Sequence, residues 1–133
     1  MSDSVLDKHD DTESHQDEEK YPSGDELAGG LLEDTAALVT ESRDSHGDAT
    51  VNQQHIAEAW EWYLRGHGVI EEDATISGAD VARMMQLVKL SRGAVGEYDV
   101  DHDRDVAGYA GIAAACETVD GNADVKEVMP DGE

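Results

Sequence analysis

Val51-Asn-Gln-Gln-His-Ile-Ala-Glu-Ala-Trp-Glu-Trp-Tyr-Leu-Arg-Gly66 is the stretch whose reading decides the fold. Asn52, Ile56, Ala59, Trp60, Tyr63 and Leu64 recur three or four residues apart, so one face of a helix would carry most of its bulk. Thr50 is the expected N-cap. Arg65, before Gly66 and Gly68, is the expected end.

The same period appears on both sides of this segment. From about Asp25 to Arg43, Leu27, Leu31, Leu32, Leu38 and Val39 predict a first helix, with Gly29-Gly30 weakening its first turn and able to delay its start to Leu31. After Ser77 or Gly78, the residues Val81, Met84, Met85, Leu87 and Val88 predict a third helix, with Asp80 in its first turn, where the helix dipole favours a carboxylate. Gly93 and Gly96 close it. A fourth helix is expected from about Asp101–Asp103 to Glu117, with Val106, Tyr109, Ala110, Ala113 and Ala114 along it. The expectation is an all-α fold, a four-helix bundle over residues 23–119. An acidic N-terminal tail (1–22) and a C-terminal tail (120–133), both expected to be disordered, flank it. So small a core in one domain gains from a partner subunit, which points to a homodimer or higher homo-oligomer.

Charge narrows the function classes. Thirty-two Asp and Glu against nine Lys and Arg give a formal charge of −23. Direct nucleic-acid binding is not expected, because phosphate contacts need Lys and Arg. Molar salt, where the Debye length falls to about 3 Å, would screen the self-repulsion. Few lysines, small residues and no phenylalanine fit a haloarchaeal protein. Salt adaptation is therefore the competing explanation for every carboxylate. Cys116, the one cysteine, lies beside Ala113, Ala114 and Ala115 and reads as a small buried residue. No apolar run approaches the roughly 18 residues of a membrane span, and no signal peptide is visible. A soluble cytoplasmic protein is expected, in the host cytoplasm if the protein is viral.

Several groups of residues bear on chemistry. Asp101 and Asp105, four apart, share a helix face; they are either an acidic helix start or a pair able to hold Mg²⁺. Glu58 and Glu61 form an E-x-x-E that suits a metal site or an exposed face. Arg43-Asp-Ser-His-Gly-Asp48 is a polar corner. Gly47 there is free to take positive φ, Asp48 stands near the next helix start, and Asn52 is placed for a ligand or for the corner. Lys89 and Arg92, three apart, would either pair with Asp101 and Asp105 or bind phosphate oxygens. The six histidines form no metal pattern, and P-loop, zincin and nucleophile-elbow motifs are absent.

Taken together, "RDSHGDATVNQQHIAEAWEWYL", "DVARMMQLVKLSR" and "DVDHDRDVAGYAGIAA" resemble a family of small proteins of unknown function from tailed-phage genomes. The likeness covers about Arg43 to Ala115. It picks out Gly47, Asp48 and Asn52, then Asp80, Lys89 and Arg92, then Asp101, Asp105, Gly108 and Tyr109. His46 stands where the family usually has Tyr, and Ala49 where it has Pro. By analogy of architecture the layout is similar to MazG-type nucleotide pyrophosphohydrolases. That analogy implies Mg²⁺ held by Asp101 and Asp105 with Glu58, Glu61 or Asp80. Lys89 and Arg92 would then neutralise phosphates while a metal-bound water attacks. The alternative is a non-enzymatic, dimeric helical interaction or virion-associated protein.

Overall fold

The computed structural model describes residues 21–41 and 47–131. Their regular structure is entirely helical: α1 (Gly24–Glu41), α2 (Ala49–Gly66), α3 (Gly78–Gly93), α4 (Val100–Val119) and a single turn, α5 (Val125–Val128). The all-α expectation and its four main helices hold. The expected acidic tail lies, but for its last two residues, outside the described residues, as do Arg43 and His46. Contacts group the chain into two units, Met1–Glu33 and Asp34–Glu133, with the boundary inside α1.

In the first unit α1 starts at Gly24, without the delay that Gly29-Gly30 suggested. A reciprocal cap explains this: Glu26 N donates to Ser23 Oγ (3.1 Å) and Ser23 N to Glu26 Oε1 (2.9 Å). Asp25 and Glu26 add negative charge at the positive helix end. Leu27 and Leu32, counted on the apolar side, are more than half exposed.

In the second unit α3 and α4 form an antiparallel hairpin, with α2 packed mainly on α3. The buried apolar residues are small: Ala57, Ala79, Val81, Ala82, Ala113 and Cys116. Two glycines set the spacing. A Cβ at Gly78 would meet Cys116 Sγ at 3.1 Å and Gln53 Cβ at 3.3 Å, so the start of α3 approaches α2 and α4 only without one. At Gly108 the same atom would lie 3.5 Å from Val39 Cγ2, in the second half of α1.

The buried side of α2 is turned from the expected stripe. Gln53 and Ala57 are buried, whereas Ala59 and Tyr63 are exposed. Small residues of α3 and α4 set which face closes, and bulk on α2 alone does not show that. The N-cap is Asp48 in place of Thr50: Asp48 Oδ1 accepts from both Thr50 N and Thr50 Oγ1 at 2.8 Å. Gly47 has φ +78°, the conformation expected at that corner. Ser77 caps α3 and exchanges hydrogen bonds with Asp80, each 3.0 Å. On α3, Val81 is buried, but Leu87 (64% exposed), Met84 and Val88 face solvent. Beyond α4, the expected C-terminal tail forms α5, closed by Asp124 and Glu127 as a capping box. Among the described residues no helix is long and apolar enough to cross a membrane.

Candidate functional site

The second half of α1, the start of α2 and the first turns of α4 enclose a cleft of about 480 Å³ within the second unit. That volume falls in the range of small-molecule sites. Five of the ten motif positions, Gly47, Asn52, Asp105, Gly108 and Tyr109, line it. They come from two segments more than fifty residues apart. Gly47 turns the chain into α2, the Asp48 cap fixes where α2 begins, and Asn52 comes one turn later. On α4, Asp105, Gly108 and Tyr109 are three and four apart and so project to one side.

Charge at the cleft is tied up internally. Arg104 donates through Nε to Asp34 (2.9 Å) and through Nη1 to Asp101 (2.8 Å). Burial alone would lower the Arg104 pKa, but these two carboxylates raise it. Lys89 Nζ lies 3.0 Å from Asp105 Oδ2. Lys89 thus makes the pairing that its spacing allowed, while Arg92 is exposed on the same helix.

The candidate carboxylates serve separate ends. Glu61 Oε2 accepts from Ile76 N at 2.6 Å, and Arg65 Nη2 donates to Ala74 O (2.7 Å) and Glu61 Oε1 (3.4 Å). These bonds hold the connection between α2 and α3 in place. Glu58 is exposed and accepts from Gln54 Nε2 at 3.5 Å. Asp80 belongs to the α3 capping box. Asp101 and Asp105 answer different cations, Arg104 and Lys89. Among the described residues, no three His, Cys, Asp or Glu side chains gather to hold a metal ion. Helical spacing put pairs on a common face, but each carboxylate found its own donor first.

Three residues outside the candidate set have clear roles. Asp99, assigned to the surface, is the α4 N-cap, its Oδ1 accepting from Asp101 N at 2.9 Å. Asp103 accepts from the Tyr98 hydroxyl at 2.7 Å, which raises the tyrosine pKa. Gln53 is only 8% exposed and lines the cleft, yet its Oε1 finds no hydrogen-bond partner among the described residues. A buried carbonyl left so costs about 1–3 kcal/mol. Its signal in the sequence was a polar residue one turn before Ala57, on the buried face. Cys116 is buried as expected, and burial together with Asp120 pushes its thiol pKa up, away from nucleophilic use.

Comparison with known proteins agrees with the phage resemblance. Gene 55 protein of Mycobacterium phage L5 is 40% identical over 67 residues, half of this chain and 38% of that protein. The chain therefore matches well under half of that relative's length. No solved structure matches. Residues 30–117 match the model of the domain of unknown function DUF6378, which covers the cleft's helices, and the chain belongs to that family.

Proposed function

We propose that the chain is a binding module of a virus or provirus of a halophilic archaeon, taking a nucleotide in the cleft through its nucleoside part. One observation carries this: five motif positions from separate segments meet on one cleft of small-molecule size. The −23 charge and absence of phenylalanine support the halophilic origin, with action in the host cytoplasm. Among the cleft's charged groups Arg104 and Asp105 are both already paired, so the lining favours an uncharged, hydrogen-bonding moiety over a bare triphosphate.

Mg²⁺ needs several carboxylate or phosphate oxygens around one centre. Among the described residues Asp101, Asp105, Glu58, Glu61 and Asp80 form no group of three at one centre, and Asp101 and Asp105 each pair with a different cation, which favours binding over a metal-assisted step. Calorimetry with nucleosides and nucleoside triphosphates in 2 M KCl, with and without Mg²⁺, tests the reading. Saturable binding without Mg²⁺ and without pyrophosphate release is expected. Mg²⁺-dependent pyrophosphate release, lost in Asp105→Ala, would replace it with the hydrolase; no binding at all would end it.

A second reading concerns assembly. The largest fully buried side chain is Val81, while Met84, Leu87 and Leu90 of α3 are exposed. A second copy of this chain covering α3 would supply the burial that the monomer lacks. Sedimentation equilibrium in 2 M KCl should then give twice the monomer mass for the wild type and the monomer mass for Leu87→Glu. A monomeric wild type refutes it.

A further inference from the structure

We infer that α3 pairs with α3 of a second copy of this chain, antiparallel about a two-fold axis between Met84 and Leu87. The inference rests on the assembly reading above and names the surface of the second copy that covers the helix. α3 turns its bulk outward. Its buried residues are small (Gly78, Ala79, Val81 and Ala82), while the larger Met84, Leu87 and Leu90 are exposed. Asp80, Met84, Leu87 and Ser91 follow at intervals of four, three and four, so they share one side of the helix, and all four are exposed.

Charge selects this helix among the four main ones. α1 carries five acids and no base, α2 two acids and one base, α4 four acids and one base. Only α3 has more bases (Arg83, Lys89 and Arg92) than acids (Asp80). On a chain of net charge −23, pairing any of the other three with itself sets acid against acid. Arg83 and Lys89 already answer Glu117 and Asp105. The Arg92 guanidinium, at the far end of α3, has no ion pair among the described residues.

The same charges fix the direction. Asp80 stands at the start of α3, and its capping bond uses only Oδ2, which leaves lone pairs for another donor. A parallel pair would set Asp80 on Asp80 and Arg92 on Arg92. The antiparallel pair brings Arg92 to the partner subunit's Asp80 at both ends and opposes the two helix dipoles. At its centre Met84 packs on the partner subunit's Leu87, and the reverse. Because one patch serves both copies, the contact closes at two chains.

The test is disulfide cross-linking of the full chain in 2 M KCl, with wild type as the control, since its only cysteine, Cys116, is buried. Leu87→Cys lies near the axis, about 5 Å along the helix from its own copy, and should give a covalent dimer. Ala94→Cys, about 25 Å from its own copy in this register, should stay unlinked. Arg92→Glu should raise the dimer dissociation constant threefold or more by sedimentation equilibrium. Linking through both cysteines would mean a parallel pair and overturn the inference. A dimeric wild type in which Leu87→Cys does not link, or in which Arg92→Glu leaves the constant unchanged, would overturn it too and leave the assembly reading standing. A monomeric wild type would overturn both.

Discussion

Glu61 shows how a residue's neighbours outrank its spacing. As half of an E-x-x-E it suited an exposed acidic face or, in the alternative, a metal site. In the fold its side chain is 20% exposed and accepts the Ile76 N–H at 2.6 Å. Glu61→Ala should therefore destabilise by about 1–3 kcal/mol, the cost of a buried donor left unpaired, and leave any Mg²⁺ response unchanged. Urea denaturation in molar KCl measures the first and calorimetric Mg²⁺ titration the second. Loss of Mg²⁺ binding without loss of stability would return Glu61 to the metal reading. Asp99 and Asp103 were equally hidden in a charge run. An N-cap is recognised by the contrast with the helix after it, and here acids occupy every plausible start of α4.

Caps and cross-helix pairs govern the helices as elements. The sequence left Ser77 or Gly78 open before α3 and put Asp80 in its first turn for the helix dipole; the structure makes Ser77 the cap, in a reciprocal box with Asp80. Ser77→Ala should cost about 1 kcal/mol by urea denaturation, since two N–H groups lose acceptors or their geometry. An unchanged midpoint would mean the α3–α4 packing alone fixes that end. Between α3 and α4, Arg83 Nη1 lies 2.8 Å from Glu117 Oε2. The hydrogen bond from Arg83, helped by Asn122, lowers the Glu117 pKa below its usual 4.5. A carboxylate whose folded pKa is lowered lends stability that is complete above the unfolded value and disappears as pH falls through the folded one. The melting temperature of wild type should thus exceed that of Glu117→Gln at pH 6, and the gap should close below about pH 4. A gap independent of pH would assign the effect to packing. Nothing local announced this pair, because its members are 34 residues apart.

For the molecule as a whole, charge outweighs every local contact. With −23 formal charges, raising KCl from 0.1 to 2 M should raise the melting temperature steeply, because screening removes repulsion that the folded state concentrates. A flat or falling melting temperature over that range would remove salt adaptation as the explanation of the acids. By itself the sequence determined the features that depend on near neighbours: four helices, their approximate ends, the positive φ at Gly47, the start of α3 to within a residue and the burial of Cys116. Motif resemblance also singled out five of the residues that line the cleft. Tertiary structure alone decided which face of α2 closes, since that depends on the missing Cβ at Gly78 and the small side chains of α3 and α4. It also decided which cation each acid meets, and that Gln53 would be sealed in beside the cleft with its carbonyl unpaired. Such facts turn on distances between residues far apart in the chain, and helical period carries no information about them.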